Sequence, residues 1–72
     1  MTFNEFTNLK PGDVLEIDEK GYTCLGMTDL THGTFLDSKK KQHTISWSEN
    51  RVFIQGNGST GHDPAQIKIK TA

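Results

Sequence analysis

Three histidines, one cysteine, a glycine-patterned run and a lysine triplet are the groups in this 72-residue chain with chemistry to offer. Cys24 with His32, His43 or His62 is the one pairing of a nucleophile with a base, and a thiol needs such a neighbour to become a reactive thiolate. Cys24 falls inside an apolar, strand-like run, the setting of a buried structural thiol. The histidines are irregularly spaced and lack the close ligand pairs of a zinc site, so neither a metal nor another cofactor is expected. Gly56-Asn57-Gly58-Ser59-Thr60-Gly61 spells the dinucleotide fingerprint, but that motif works by bringing a pyrophosphate to a helix N-terminus. Here Asp63-Pro64 and a short alternating run follow, which reads as a flexible loop. Lys39, Lys40 and Lys41 beside His43 and Trp47, with Phe35 near, form the clearest binding patch: ammonium groups neutralise anions and an exposed ring offers a stacking face. Trp47 is in register with Ile45, which draws it toward the core.

Size and charge limit what these groups can do. A domain this small buries roughly 60% of the surface its unfolded chain exposes, so the core is thin and a large enclosed active site is not expected. Hydrophobic residues are 32% of the chain and mean hydropathy is −0.61, which suggests that one or both ends lie outside the packed unit. The net charge of −1 conceals an asymmetry. Up to Asp37, seven acids face Lys10 and Lys20; from Ser38 on, six basic residues face Glu49 and Asp63. Interleaved strands are expected to cancel much of that dipole. With an isoelectric point of 6.2 the chain lacks the basic excess usual in nucleic-acid binders. A single cysteine forms no internal disulfide, and no basic-then-apolar leader or spanning segment is present. A cytoplasmic protein with no membrane contact is expected.

Between Val14 and Ile54 short apolar or alternating runs and turns follow each other about every six to ten residues, the rhythm of a small closed antiparallel barrel. Thr2 and Glu5 form a capping-box pattern, and Phe3 and Phe6 share a face of a helix of two turns at most, which with Leu9 must dock on the barrel. Lys10-Pro11-Gly12-Asp13 predicts a type II turn. Strands are expected at residues 14–18, 22–27, 34–36, 42–47 and 51–54, with a three-residue, glycine-bulged turn at Glu19-Lys20-Gly21 and a tight turn at Ser48-Glu49-Asn50. Strand two sets Thr23, Leu25 and Met27 against Tyr22, Cys24 and Gly26, with a bend or bulge at Gly26. The domain is single: a core over residues 9–54, a flexible Gly-rich loop over 55–66, and a further edge strand over 67–70 whose lysines guard against unwanted pairing.

Residues 9–54, with the Leu9-Lys10-Pro11-Gly12-Asp13-Val14 opening, a longer loop after the second strand and a one-turn connection before a short fifth, resemble the SH3-like small barrels. The resemblance implies a mainly all-β, five- to six-stranded antiparallel barrel with a short N-terminal helix. An OB-like barrel is the runner-up, and its helix between strands three and four has no room here. The paired aromatics and acidic loop of peptide-binding SH3 domains are missing, so a proline-rich ligand is not implied. Scaffolds of this kind carry many functions. The expected one is a small non-enzymatic, protein-binding accessory factor, regulator or inhibitor, a phage-encoded modulator of a host protein among them. The alternative is a single-stranded nucleic-acid binder. Candidate contact residues are Lys39, Lys40, Lys41, His43, Trp47, Lys68 and Lys70, in a monomer or in a homodimer joined through the 67–70 edge.

Overall fold

The computed structural model describes residues 1–55 and 61–71. A short helix α1 (Phe3–Thr7) leads into six antiparallel strands, β1 (Val14–Ile17), β2 (Lys20–Met27), β3 (His32–Leu36), β4 (Gln42–Ser48), β5 (Arg51–Ile54) and β6 (Lys68–Lys70), with a 3₁₀ turn (Pro64–Gln66) before the last. All six belong to one sheet in the order β5-β4-β3-β2-β1-β6. The expected mainly β fold with its N-terminal helix is present. Among the described residues the sheet does not close into a continuous hydrogen-bonded barrel: β5 and β6 are its two edges.

The seam between those edges is spanned by other means. Val52 in β5 exchanges two backbone hydrogen bonds with His62, at 3.0 and 2.7 Å. The chain then passes through the 3₁₀ turn to Ile67, 4% exposed, and into β6, which pairs with β1 from Val14↔Lys70 to Glu16↔Lys68. The Met1 amino nitrogen donates to the Pro64 carbonyl oxygen at 2.8 Å. Within the 55–66 segment expected as a flexible loop, residues 61–66 carry a strand-edge bridge and a capped turn; Gly56 to Thr60 lie outside the described residues. The core likewise extends past 9–54, because a thin sheet needs more apolar cover than its own strands provide. Phe6 is fully buried, and Ile67 and Pro64 are buried with it.

Alternation explains which side chains face inward. Leu15 and Ile17, Tyr22 and Cys24, Phe35, Ile45, Val52 and Ile54 are all buried on one face. A register shift between Cys24 and Gly26 is the expected bulge in β2. Beyond it the alternation is reset, so Leu25 is exposed while Met27 packs on the core, and the two do not share a face as strict alternation predicts. The helix forms as read: Thr2 accepts from the Glu5 amide and Glu5 accepts from the Thr2 amide, at 3.2 and 2.8 Å. Of its two phenylalanines only Phe6 docks deeply; Phe3 is 40% exposed and lies edge-on against Trp47. Gly12 has φ 99° in the expected turn, with the Asp13 amide donating to the Lys10 carbonyl oxygen.

The β1–β2 connection differs from its expected form. Ile17 pairs directly with Lys20, leaving a two-residue turn at Asp18-Glu19, and β2 begins two residues early. Both turn residues have positive φ, 50° and 65°, the type I′ geometry that suits strand twist. Gly21 sits in the strand instead of the turn. Glu49-Asn50 repeats the arrangement between β4 and β5, with φ 51° and 60°.

Two stability outcomes follow from this geometry. Replacing Glu49-Asn50 by the pair that type I′ turns prefer, with Glu49→Asn and Asn50→Gly, should stabilise the fold by on the order of 1 kcal/mol in urea denaturation. Gly33→Ala should do the opposite, by about 1–3 kcal/mol, as overpacking does in a filled core. A Cβ there would come within 2.6 Å of Met27 Sδ and 2.8 Å of Phe35 Cε1. An unchanged midpoint for Gly33→Ala would mean that the inner face is looser than this contact requires.

Candidate binding surface at the lysine turn

Antiparallel alternation places the β1–β2 and β3–β4 turns at one end of the sheet. Lys39, Lys40 and Lys41 lie in the β3–β4 turn, and its shape is set by Asp37. One carboxylate oxygen of Asp37, Oδ1, accepts from the backbone amides of Lys39 and Lys41 at 2.8 and 2.9 Å; the other, Oδ2, accepts from His43 Nε2 at 2.8 Å. The Asp37 carbonyl oxygen also accepts from the Lys40 amide, whose residue has φ 61°. Since an ionised carboxylate only accepts, His43 holds a proton on Nε2, and its ring stands edge-on to Tyr22 at 5.7 Å. The His43 bond, then the Lys41 and Lys39 amides, hold the Asp37 carboxyl down to about 2. Backbone and side-chain donors thus answer the Asp37 charge, and the three exposed lysine side chains extend from an organised turn. Among the described residues none of them has a carboxylate partner in salt-bridge range.

Two open clefts meet beside this turn. One, of about 380 Å³, is lined by Ile17, Asp18, Lys20, Tyr22, Ile54 and His62. The other, of about 230 Å³, is lined by Lys20, Gly21, Tyr22, Asp37, Ser38 and Lys39. Lys20 and Tyr22 belong to both, so the clefts share a dividing wall. Burial, reinforced by the charges of Asp37 and Asp18, pushes the Tyr22 phenol up, so it remains a protonated hydroxyl at neutral pH. On the rim of the larger cleft His62 Nδ1 lies 3.6 Å from Asp18 Oδ2.

The residues singled out from sequence divide between places. Lys39, Lys40, Lys41 and His43 come together at the turn. Trp47 does not join them: four residues further along β4, roughly 13 Å away by strand rise, it packs against Phe3 and Phe6, with ring centroids at 5.5 and 5.8 Å. Phe35 is buried completely. Lys70 pairs with Glu16 at 3.3 Å, and Lys68 borders a separate cleft with Glu16, Asp18, Glu19 and Gln66. Basic β6 against acidic β1 is the interleaving that the charge asymmetry predicts. The histidines remain apart, each with its own aspartate, and among the described residues no three His, Cys, Asp or Glu side chains gather as metal ligands. Cys24 is buried, which pushes its thiol up and away from thiolate reactivity.

Lys20 and Tyr22, which line both clefts, are not among the residues that the sequence singles out. Lys20 was hidden by its assignment to a turn, and Tyr22 by its place at a strand start; a two-residue turn would have put both at the end of the sheet.

The depressed Asp37 carboxyl has a pH consequence with a definite sign. A group whose folded value lies below its unfolded value adds stability above the latter, and that stability is lost as pH falls through the folded value. The melting-temperature difference between the wild-type chain and Asp37→Asn should therefore be present at neutral pH and shrink between about 4 and about 2. A difference constant across that window would remove Asp37 as the organiser of the turn. No family model, curated protein or solved structure matches this chain, so the arrangement of its own residues carries the functional reading.

Proposed function

We propose that this chain is a small non-enzymatic binding module, an SH3-like barrel in its finer classification, that works in the cytoplasm as an accessory factor, regulator or inhibitor by occupying another protein. The carrying observation is the Asp37-organised turn, which presents Lys39, Lys40 and Lys41 without neutralising them and sets Lys39 on the wall of the smaller cleft. A preorganised surface loses less conformational entropy on binding, and unpaired cations steer an acidic partner toward it. The SH3-like reading draws support from the antiparallel run β1 to β5, its Pro11-Gly12 entry and the tight turn before β5. No helix among the described residues is long and apolar enough to cross a membrane. The reduced, buried Cys24 fits a reducing compartment.

Single-stranded nucleic acid is the second reading, favoured by the same lysines. It needs a stacking platform near them, and Trp47, the ring expected to provide it, packs under α1 at the other end of β4. Self-association through β6 has a narrow base. That strand is three residues long, and the Met1 amino nitrogen is already 3.5 Å from the Ile67 carbonyl oxygen where it begins.

Affinity capture on the immobilised chain separates the two readings. The expected result is a protein retained in stoichiometric amount whether or not the lysate is treated with nuclease, and lost when Lys39, Lys40 and Lys41 are all changed to glutamine. Retention abolished by nuclease, together with oligonucleotide affinity that falls steeply with salt, would replace the proposal with the nucleic-acid reading.

A further inference from the structure

We infer that the smaller cleft binds one side-chain carboxylate of a protein partner, which accepts a hydrogen bond from the Tyr22 hydroxyl and is balanced by the Lys20 and Lys39 ammonium groups. The inference rests on the protein-binding reading above and names its contact chemistry. A buried residue with an unanswered polar group carries it. Tyr22 is 3% exposed, and its ring is held edge-on to His43 at 5.7 Å. A tyrosine buried to this degree ordinarily gives its hydroxyl a partner. Here no described residue forms a hydrogen bond with it, yet the hydroxyl is not sealed in: among the described residues, Thr7 Oγ1 is the one side-chain polar atom both unpartnered and cut off from solvent. The Tyr22 hydroxyl therefore opens onto the clefts whose shared wall it forms with Lys20. Burial, reinforced by the charges of Asp37 and Asp18, keeps it protonated at neutral pH, so it has a proton to donate and lacks an acceptor.

Charge decides which acceptor fits. Lys20 and Lys39 have no carboxylate in salt-bridge range among the described residues, whereas Asp37, in the same wall, is occupied by His43 Nε2 and two backbone amides. The Ser38 hydroxyl adds a neutral donor, and Gly21 puts no side chain in the way. Two lysines against one aspartate leave the lining a formal surplus of one positive charge, which a single carboxylate balances and a phosphate dianion exceeds. Carboxylates limit the anion on its other side. Asp18 lines the larger cleft, and Glu16, Asp18 and Glu19 border a third. A nucleic-acid strand, with a negative charge at every nucleotide, would bring further phosphates against these groups, and one carboxylate between neutral neighbours does not meet that repulsion.

The test is a titration of the isotope-labelled full chain at constant ionic strength, followed by amide chemical shifts, with three blocked peptides. These are acetyl-Gly-Ser-Glu-Ser-Gly-amide, the same sequence with Gln for Glu, and the same sequence with phosphoserine for Glu. Saturable shifts at Gly21, Tyr22, Ser38 and Lys39 are expected for the glutamate peptide, with a dissociation constant on the order of 10 mM, as befits one carboxylate in an open cleft. The glutamine peptide should not saturate in that range, and the phosphoserine peptide should bind no tighter than the glutamate one. Tyr22→Phe should weaken the glutamate peptide by about tenfold, the worth of a hydrogen bond to a charged group, and leave the melting temperature unchanged or raised, because an unpartnered hydroxyl holds nothing in the fold. Lys20→Gln and Lys39→Gln, both at exposed positions, should each weaken the glutamate peptide roughly two- to fivefold while leaving the shifts of core amides in place.

Equal binding of the glutamate and glutamine peptides, no saturable shift, indifference to Tyr22→Phe, or a melting temperature lowered by that change would overturn the site. Tighter binding of the phosphoserine peptide, or of an octathymidylate at the same amides, would overturn it in favour of a phosphate ligand. Lysate capture keeps this outcome separate from the broader reading: a protein retained in full by the Tyr22→Phe, Lys20→Gln variant leaves the binding module standing and removes only this site.

Discussion

A six-stranded sheet this small has to bury its inner face without, among the described residues, a hydrogen-bonded ladder between its outer strands, and the rest of the fold answers that constraint. The unpaired edge of β5 is taken by His62, and the start of β6 is held by Ile67 in the core and by the Met1 amino nitrogen. Phe6 and Leu9 complete the apolar cover. None of these groups belongs to the five-strand meander, yet without them that meander would expose one face and one edge to solvent. The segments that look peripheral in the sequence are what make the barrel-like unit possible.

Filling the seam also divides the molecule in two. Helix α1 settles on Trp47, which commits that aromatic cluster to packing. The opposite end of the strands is left with the two charged turns and the open clefts. Aromatic burial and charge exposure are thus separated by the length of β4, which is why Trp47 and the lysine triplet, close in sequence, do not form one patch. A strand of seven residues carries its first and last side chains roughly 20 Å apart.

Much of this was legible in the residues. Period-two alternation identifies the inner face of β1, and the capping box at Thr2 and Glu5 starts the helix where it is found. Gly26 marks the bulge, and the alternating residues 67–70 supply the edge strand. What was not legible has physical reasons. The Asp18-Glu19 turn lacks the Asn-Gly pair that announces type I′ geometry, and Gly21 nearby drew the expected bulge to itself. The placement of His62 against β5 comes from a long-range bridge to Val52, and no local pattern records such a contact. Asp37 reads as an ordinary strand-end acid until β3 and β4 pair and bring His43 to it. Closure failed as an expectation because strand rhythm specifies a meander and says nothing about whether its ends meet.

The left-handed residues sharpen the argument for the turn end. Among the described residues five non-glycine residues have positive φ, and three of them, Asp18, Glu19 and Lys40, sit in the two turns that border the clefts. Each such conformation is disfavoured for an L-residue by roughly 1–2 kcal/mol. At Lys40 the cost is offset by the Asp37 bonds that hold its neighbours, and the result is a fixed backbone from which three lysine side chains extend. At Asp18 and Glu19 the two-residue turn ends β1 and starts β2 without slack, which fixes Lys20 at the first position of its strand. A glycine-containing turn would relieve the backbone, but a longer connection would take Lys20 out of its direct pairing with Ile17. The same left-handed pair at Glu49 and Asn50, at the other end of the strands, shows that a two-residue hairpin imposes this backbone by itself, so the Asp37-braced Lys40 is the position where the conformation belongs to the lysine turn alone.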